Sequence, residues 1–490
     1  MVAQPDEKLV DEKLLDERLA ALEAARSWSP RLVSKLESHL RGAPDEAVFR
    51  INPLTFARER GLSETETIDL FLHATAQRLV EMNWLLVCPL CSCVVESFKE
   101  LKGVHSHYHC NVCQADFTSR LDEFVAVTFT VLPTVRPIKF HRPQELSPAE
   151  YFLEYGAISD GRLPDGTPFV KAQEAVARAA SHLPPGETTL MSIDASEGTV
   201  IGVSHEGGAA LLYAIEGAPA VGPQRFEIVF GEPVRQYATG KVAPGAMTFA
   251  VTNTTRARGT FVLAVLPPGF VPGQPLQFVP FLTGKRLLTT QTFRDLFRSE
   301  VIRASEGLGV TDITLLFTDL KGSTALYDRI GDLNAFALVH QHFERLQAVT
   351  VRHRGAIIKT IGDAVMAAFL GPADAVRAAL EMRSDIAAFN RDRPDREIVL
   401  KIGIHKGAAI AVTLNDRLDY FGQTANIAAR VQALADADEI FVSEDVFEAA
   451  DVRPILADWP VERQLAKLRG IQDGLNVYRI PDARAAPKAA

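Results

Sequence analysis

The chain has no long uninterrupted run of apolar residues, although 47% of its 490 residues are hydrophobic. A helix that crosses a bilayer needs about 20 consecutive apolar residues, so we expect no membrane span. The first residues, Met1-Val-Ala-Gln-Pro-Asp-Glu-Lys8, also lack the basic-then-apolar order of a secretory signal. With an ordinary charged content of 23%, this composition predicts a cytoplasmic protein.

An excess of basic residues is also missing. The chain has 52 Lys and Arg against 61 Asp and Glu, for a formal net charge of −9. Nucleic-acid-binding domains usually carry a basic surface, so nucleic acid is not expected as a partner. A single hydrophobic core rarely grows beyond about 250–300 residues, so a chain of this length is expected to contain several domains.

Cysteine is scarce and confined to one stretch, because all 5 cysteines lie within residues 88–113. This clustering indicates a metal site rather than a disulfide framework. Two CxxC pairs are separated by about 18 residues, which is typical of a closed, structural zinc site. The four expected ligands are Cys88, Cys91, Cys110 and Cys113. Cys93 is left over, and His109 could replace a displaced thiolate; four unligated thiols are the alternative.

Helical patterns come before the cysteines. Leucines at near-helical spacing predict an amphipathic helix within residues 5–41, packed on its own domain or on a partner. These leucines are Leu9, Leu14, Leu15, Leu19 and Leu22. Two further helices are predicted about a turn at Gly61, the second capped by Ser63, an arrangement that resembles a winged helix-turn-helix.

The central part of the chain has the pattern of a β domain. A strand is predicted over Phe124–Pro133 and a helix over Ala172–His182. Short β-branched and apolar runs then alternate with Gly, Pro and Asn turns, which predicts an antiparallel β-sandwich for binding or regulation. These runs are Thr189–Ile193, Ala210–Tyr213, Phe226–Phe230, Met247–Thr252 and Thr260–Val265.

A short helix is predicted between this region and the C-terminal third. Thr290 or Thr292 is expected to cap it. Its apolar face would present Phe293, Leu296 and Phe297. We interpret it either as a transducing element or as an ordinary connecting helix.

The C-terminal third is organised around residues 313–369. An apolar run that ends at Asp319 predicts a buried strand. The residues Gly322, Ser323 and Thr324 follow and are expected to cap the start of a helix. Backbone N–H groups at such a strand-to-helix turn suit phosphate oxygens.

A hairpin is predicted from Ala356–Ile361 and Ala364–Phe369 around a Gly362-Asp363 turn. If this hairpin pairs beside the first strand, Asp319 and Asp363 come together. Two carboxylates with a phosphate-binding turn between them can hold Mg²⁺ ions bound to a nucleoside triphosphate. The alternative is that one aspartate is a helix cap and the other a turn residue.

Three ordered blocks then carry a family resemblance. Residues 317–324 (FTDLKGST), 359–363 (KTIGD) and 418–430 (LDYFGQTANIAAR) resemble the signature blocks of class III nucleotidyl cyclases. The resemblance runs from about Asp312 to Ile480. The order of zinc ribbon, β domain and cyclase also resembles a module without assigned activity that precedes some bacterial cyclases.

The resemblance implies a ferredoxin-like, palm-type α+β domain, which we expect to carry its helices on one face of the sheet. It implies a homodimer that binds ATP and uses two Mg²⁺ or Mn²⁺ ions per active site. Asp319 and Asp363 would be the metal ligands, assisted by the Leu320 carbonyl. Asn426 would orient the ribose, and Arg430 would stabilise charge at the α-phosphate.

Other positions are expected to bind the substrate. Phe317 and the turn residues Gly322, Ser323 and Thr324 belong to this set, and so does Arg469, where cyclases commonly place a Lys on the β- and γ-phosphates. Lys359 can donate to adenine N1, and Asp419 can accept from the exocyclic amine. Guanine presents the opposite polarity, which favours ATP over GTP.

We therefore predict a multidomain α+β chain with six segments. They are a helical, winged-helix-like segment (1–86), a zinc ribbon (87–125), a mixed linker and β-sandwich domain (126–275), a linker or transducer helix (276–306), a class III nucleotidyl cyclase catalytic domain (307–483) and a tail (484–490).

The predicted function is an adenylyl cyclase that converts ATP to 3′,5′-cyclic AMP and pyrophosphate, with an N-terminal regulatory half that holds one structural Zn²⁺ per chain. Two alternatives stay open. One is a guanylyl or mixed-specificity cyclase. The other is a catalytically silent cyclase fold in a zinc-ribbon regulator that binds nucleic acid.

Overall fold

The computed structural model describes residues 10–207, 210–231, 238–269, 275–391, 393, 398–468 and 474–482. Leu9 and Arg469 therefore lie outside the described residues. The chain divides into two compact units. The first comprises residues 1–100, 104–119 and 123–283, and the second comprises residues 101–103, 120–122 and 284–490. Among the described residues, no helix combines the length and apolar character needed to cross a membrane.

The first unit contains seven α-helices among its described residues. They are α1 (Glu12–Ala24), α2 (Leu32–Gly42), α3 (Asp45–Val48), α4 (Pro53–Arg60), α5 (Glu64–Ala76), α6 (Pro148–Glu150) and α7 (Phe169–Val176). Leu15, Leu19 and Leu22 are buried along α1, which confirms the leucine pattern. The Ser63 side chain accepts a hydrogen bond from the Glu66 N–H at the start of α5, as predicted.

The strands of the first unit form several sheets. They are β1 (Val80–Val87), β2 (Val94–Phe98), β3 (His107–Cys110), β4 (Ala115–Thr118), β5 (Val125–Val131), β6 (Gly161–Arg162), β7 (Ala177–Leu183), β8 (Thr188–Ala195), β9 (Thr199–Ser204), β10 (Ala210–Ile215), β11 (Gln224–Phe230), β12 (Ala238–Val242), β13 (Gly245–Asn253), β14 (Gly259–Leu266) and β15 (Gln277–Phe278). The described sheets are ordered β2-β1-β5, β3-β4, β15-β6, β12-β10-β9-β14-β7 and β11-β13-β8. The predicted strand over Phe124–Pro133 and the five predicted central strands are confirmed.

The last two of these sheets share one core and form the predicted sandwich. Leu211 and Leu263 come from one sheet, and Phe249 and Val251 from the other. Most neighbouring strands are antiparallel, but β10 with β12 and β11 with β13 are parallel. The chain passes from β10 to β13 by crossing between the sheets at each step. Alternate strands therefore return to the same sheet in the same direction, which local sequence patterns do not reveal.

The predicted helix over Ala172–His182 is wrong in its second half. The helix α7 ends at Val176, and β7 begins at the next residue, Ala177. Residues of β7 pair with β14 at the edge of the larger sheet. The tertiary contacts made in this pairing outweigh the helical preference of the alanines.

The helices and strands of the second unit include those predicted over residues 313–369. They are α8 (Gly284–Leu288), α9 (Gln291–Leu296), β16 (Leu308–Leu320), α10 (Ser323–Ile330), α11 (Asp332–Arg352), β17 (Ala356–Ile361), β18 (Ala364–Phe369), α12 (Pro372–Asn390), β19 (Leu400–Leu414), β20 (Arg417–Phe421), α13 (Gln423–Ala433), β21 (Glu439–Ser443), α14 (Glu444–Phe447), β22 (Glu462–Ala466) and β23 (Leu475–Ile480). The described sheet has the order β17-β18-β16-β19-β21-β23-β22, and β20 pairs with β19. The α+β class is confirmed.

The two faces of this sheet carry different helices. Leu316 and Leu320 of β16 pack into a core with residues of α11 and α12. Side chains alternate along a strand, so Phe317 and Asp319 point to the opposite face. There α13 contributes Val431 to a second core. The expectation that all helices lie on one face is therefore wrong for α13.

A glycine allows α13 to lie against the sheet. A Cβ atom built at Gly403 of β19 would lie 2.1 Å from the backbone nitrogen of Gln432 in α13. Backbone cannot swing aside as a flexible side chain can, so only glycine fits this contact. The close approach fixes the helix that carries Asn426 and Arg430.

We expect Gly403→Ala to destabilise the second unit by about 3 kcal/mol, because the added methyl group must displace α13. Thermal unfolding of the full chain should show this loss. The matched control is Gly371→Ala, since a Cβ atom at Gly371 meets nothing within 4 Å. Equal unfolding temperatures for the two variants would contradict the prediction.

Candidate functional site

The pairing of the hairpin with the central strand brings Asp319 and Asp363 together. Strand β18 runs antiparallel to β16, with Thr318 opposite Val365. The Val365 N–H donates to the Thr318 Oγ1 at 3.2 Å, which fixes this register. Each aspartate lies just beyond this pair, Asp319 at the end of β16 and Asp363 in the turn between β17 and β18. The predicted hairpin beside the first strand is confirmed.

The two carboxylates have the chemistry of a divalent-cation site. The Oδ2 atom of Asp363 is buried and has no hydrogen-bond partner among the described residues. The Asp319 Oδ2 lies 2.8 Å from the Lys401 Nζ. A buried carboxylate oxygen without a partner is costly, and Mg²⁺ prefers oxygen ligands. The side chain of Leu320 packs in the core, which leaves its backbone carbonyl as the group available beside Asp319.

The turn after β16 leads into helix α10, whose N-terminus has no side-chain cap. Gly322 occupies the N-cap position of α10 with φ of +75°, and no side chain caps this helix. The expectation that Ser323 and Thr324 cap the helix is wrong, because these residues are already its first two helical positions. The first backbone N–H groups of α10 thus have no capping side chain, and they suit an anion such as phosphate.

Lys359 and Asp419 form an ion pair, although they come from different parts of the chain. The Lys359 Nζ lies 2.5 Å from the Asp419 Oδ2, and the Lys359 side chain is 36% exposed while that of Asp419 is 7% exposed. The Tyr420 N–H donates to the other oxygen, Asp419 Oδ1, at 2.8 Å. Lys359 lies opposite Met366 of β18, which lies opposite Phe317 of β16. These three residues form one row across the sheet.

Asn426 and Arg430 are four residues apart on α13 and therefore share one side of the helix. Asn426 is exposed and Arg430 is half-buried. Within the described part of the chain, neither side chain forms a hydrogen bond or ion pair. The helix packs on the sheet face to which Phe317 and Asp319 point. The roles expected of these two residues stay predictions.

Sequence reasoning did not identify three residues whose side chains bond to parts of the candidate site. They are Lys401, Gln291 and Arg294. Lys401 pairs with Asp319, and a lysine inside the apolar run of residues 398–404 is the signal that could have revealed it. The Gln291 Oε1 accepts a hydrogen bond from the Ile357 N–H of β17 at 2.8 Å. The Arg294 Nη1 donates to the Leu418 carbonyl of β20 at 2.9 Å. Helix α9 therefore contacts the two strands that carry Lys359 and Asp419.

The apolar face predicted for α9 is only partly buried. Phe293 is buried and stacks on Phe297 at 5.6 Å between ring centroids, whereas Leu296 is 40% exposed. Thr290 occupies the N-cap position, but its hydroxyl donates to the Arg286 carbonyl instead of capping the helix. Burial lowers the pKa of Arg294. A guanidinium still stays charged at neutral pH.

The four predicted zinc ligands converge in the first unit. Their sulfur atoms all lie within 4.8 Å of one another: Cys88, Cys91, Cys110 and Cys113. The Cys88–Cys113 and Cys91–Cys110 sulfur distances are 3.8 and 3.7 Å. A tetrahedron with Zn–S bonds of about 2.3 Å has edges of about 3.8 Å. The residues therefore fit a zinc ion.

The backbone around the two CxxC pairs supports the same conclusion. The Leu90 N–H donates to the Cys88 sulfur and the Cys113 N–H to the Cys110 sulfur, both at 3.4 Å. Hydrogen bonds from Cys113 and Cys88 lower the pKa of Cys110, which favours a thiolate. Cys93 stands outside the mutually close group.

The proposed substitute ligand, His109, is engaged elsewhere. Its Nδ1 atom lies 2.9 Å from the Asp116 Oδ1, and His109 does not belong to the cysteine group.

Two family models match the chain. Residues 308–472 match the "Adenylate and Guanylate cyclase catalytic domain". The C-terminal region is thus a class III nucleotidyl cyclase catalytic domain, as the three sequence blocks predicted. Residues 15–295 match a "Family of unknown function (DUF5939)", a match that spans more than half of the chain. The chain belongs to this family.

Curated relatives are similar to about a third of the chain or less. "Putative adenylate cyclase 3" of Rhizobium meliloti (strain 1021) is 33% identical over 135 residues, which cover 27% of this chain and 22% of that protein. "Adenylate cyclase" of Anabaena cylindrica is 25% identical over 183 residues, which cover 34% of this chain and 36% of that protein. "Atrial natriuretic peptide receptor 2" of Homo sapiens is 26% identical over 178 residues, which cover 34% of this chain and 17% of that protein.

The match spans only 22%, 36% and 17% of the length of these three relatives, in the order given. Among solved structures, the adenylyl cyclase CyaB from P. aeruginosa is 20% identical with a TM-score of 0.33, covering 37% of this chain and 98% of that one. The guanylyl cyclase Cya2 is 21% identical with a TM-score of 0.32, and the match covers 36% of this chain and 93% of that one.

Proposed function

We propose that this chain is an adenylyl cyclase that converts ATP to 3′,5′-cyclic AMP and pyrophosphate at a homodimer interface. The observation that carries the choice of ATP is the ion pair of Lys359 with the buried Asp419. An ammonium donor beside a carboxylate acceptor matches adenine, whose N1 accepts and whose exocyclic amine donates. Guanine has a protonated N1 and a carbonyl O6, so both groups would be mispaired in a buried site.

The metal ligands in this proposal are the carboxylates of Asp319 and Asp363, together with the carbonyl of Leu320. The buried Asp363 oxygen without a partner supports this assignment. Two bound Mg²⁺ or Mn²⁺ ions would activate the ribose 3′ hydroxyl and neutralise the triphosphate. Lys401 holds the Asp319 carboxylate near the end of β16. This ion pair orients the carboxylate before substrate binds.

The remaining residues act on the ribose and the phosphates. Asn426 orients the ribose so that its 3′ oxygen lines up with the α-phosphorus, and Arg430 donates to the α-phosphate oxygens as charge builds up there. The uncapped N-terminus of α10 after Gly322 binds phosphate oxygens through its backbone N–H groups. Arg469, which lies outside the described residues, is assigned to the β- and γ-phosphates.

Exposed apolar side chains of the second unit support the homodimer. Phe421 and Ile410 lie opposite each other on β20 and β19 and are 60% and 43% exposed. Ile361, two residues after Lys359, is 51% exposed. Apolar side chains grouped at the surface mark an interaction site, and a second copy of the chain is the partner we assign.

The first unit is proposed to be regulatory and to hold one structural Zn²⁺. Four thiolates leave no open coordination position for catalysis, so zinc would support folding of this unit. The sandwich offers no cluster of catalytic side chains among its described residues. A binding role therefore suits it better than a second enzymatic activity.

The direct test is a product assay on the purified full chain. It uses ATP or GTP with Mg²⁺ or Mn²⁺, and the products are separated and quantified. We expect cyclic AMP as the main product. Faster turnover of GTP would favour a guanylyl cyclase. No product from either nucleotide, in protein shown to be folded, would favour the silent fold.

Base selection can be tested by exchanging the donor and the acceptor. We expect the double variant Lys359→Glu with Asp419→Cys to lower the ratio of ATP to GTP turnover by about 100-fold or more, because adenine then meets the wrong polarity on both sides. The control is an exposed ion pair in the first unit, altered as Lys241→Glu with Glu216→Cys. A ratio equal to that of the wild type in the site variant would rule out the assignment.

A further inference from the structure

The first unit contains an apolar cavity of about 260 Å³. It lies between the cysteine cluster, strands β9 and β14, and helix α7. Its walls include Leu90, Cys91, Val112, Phe152, Val203 and Val262. Among the described residues that line it there is no Asp, Glu, Lys, Arg or His. A cavity of about 150 Å³ with such walls stays dry and binds benzene, so this one is large enough for a bigger apolar molecule.

One polar side chain faces this space. Gln173 of α7 lines the cavity, and its Oε1 atom is buried without a hydrogen-bond partner among the described residues. A buried acceptor without a partner destabilises a protein unless a ligand supplies a donor. Gln173 therefore marks the place where a hydroxyl group would bind.

The side chains around the cavity do not fill it. Phe169, Gln173 and Val176 recur at helical spacing, so α7 presents one face to the cavity. None of the residues of α7 is fully buried, so this face is not packed into the core. On the opposite wall, Ala264 pairs with Ala177 at an irregularity in the register of β14 and β7. Two small side chains at this point leave the volume unfilled.

We propose that this cavity binds a neutral, mainly apolar small molecule that carries one hydroxyl group. Scaling from benzene in about 150 Å³ gives a ligand of about ten non-hydrogen atoms, smaller than the drug-sized molecules that fill 300–1,000 Å³. The wall offers no Asp, Glu, Lys, Arg or His to pair with a charged ligand, which favours a neutral one. This proposal does not depend on the catalytic one.

The test compares two probes of the same size, 4-propylphenol and 4-propyltoluene, by titration calorimetry on the full chain. We expect both to bind, and the phenol to bind about fivefold more tightly, because its hydroxyl donates to Gln173. Gln173→Leu should remove this preference. Ala264→Phe should abolish binding of both probes by filling the cavity.

The control for the filling variant is Ala246→Phe, which makes the same change at an exposed position of β13. Folding of each variant is checked by thermal unfolding. If Ala264→Phe does not fold, Ala177→Leu fills the same part of the cavity from the neighbouring strand. Failure of the wild type to bind either probe, or unchanged binding in a folded filling variant, would overturn the proposal. An unchanged preference in Gln173→Leu would overturn the role of the hydroxyl.

Discussion

Asp319→Ala and Arg430→Ala, each nearly inactive alone, are expected to restore activity to about a quarter of the wild-type level when they are co-expressed. The loss of a metal ligand or of a donor to the transition state costs on the order of 10²-fold or more. In the proposed dimer, one chain supplies Asp319 and Asp363 to each site and the other supplies Lys359 and the residues of α13. A mixed dimer then has one site with both lesions and one intact site.

The expected quarter of the wild-type activity follows from the number of intact sites in the mixture of dimers. Random association makes about half of the dimers mixed, and each mixed dimer has one working site of two. Different affinity tags on the two variants allow the mixed dimers to be isolated, so that product formation can be measured on them directly.

The matched control is Asp319→Ala with Asp363→Ala. Both lesions then lie in the half-site that one chain supplies, so every site in the mixed dimer is damaged and no activity returns. If the Asp319→Ala and Arg430→Ala mixture stays as inactive as the single variants while mixed dimers are present, the shared-site proposal is wrong. The site residues would then act within one chain.

Replacement of one zinc ligand is expected to have the second large effect. Cys110→Ser should remove zinc and lower the unfolding temperature of the first unit by about 10 °C or more, because metal binding is coupled to folding. Cys93→Ser is the matched control, since Cys93 is also buried beside Cys110 but stands outside the group of four. It should keep about one zinc per chain.

Elemental analysis and thermal unfolding of the same preparations measure both effects. The wild type, purified without chelators, should contain about one zinc ion per chain. A preparation that is folded and free of zinc would show that the four thiols do not form a metal site. Equal zinc contents of Cys110→Ser and Cys93→Ser would argue against the choice of ligands.

The sequence predicted the parts of the candidate site that depend on local pattern. A strand that ends at Asp319 and a hairpin that turns at Asp363 are each visible as short apolar runs around turn residues. Their approach required only that the hairpin pair with the preceding strand, which neighbouring elements commonly do. The cysteine spacing was equally informative, because two CxxC pairs leave few other interpretations.

Features that depend on long-range pairing could not be predicted. The contact of Lys359 with Asp419 exists because β20 folds back on β19, and the position of α13 depends on the order of strands in the sheet. The cavity depends on alanines from separate elements, Ala177 and Ala264. No local pattern distinguishes a small residue that leaves space from one that packs closely.

The contacts of α9 matter for anyone who exchanges domains between cyclases. Gln291 and Arg294 lie in the stretch that matches the family of unknown function, residues 15–295, whereas their partners Ile357 and Leu418 lie in the cyclase match, residues 308–472. The compact unit that contains both pairs begins at Gly284. A chimaera joined between the two family matches would combine an α9 from one parent with strands from another. The graft that keeps these hydrogen bonds has its joint before Gly284.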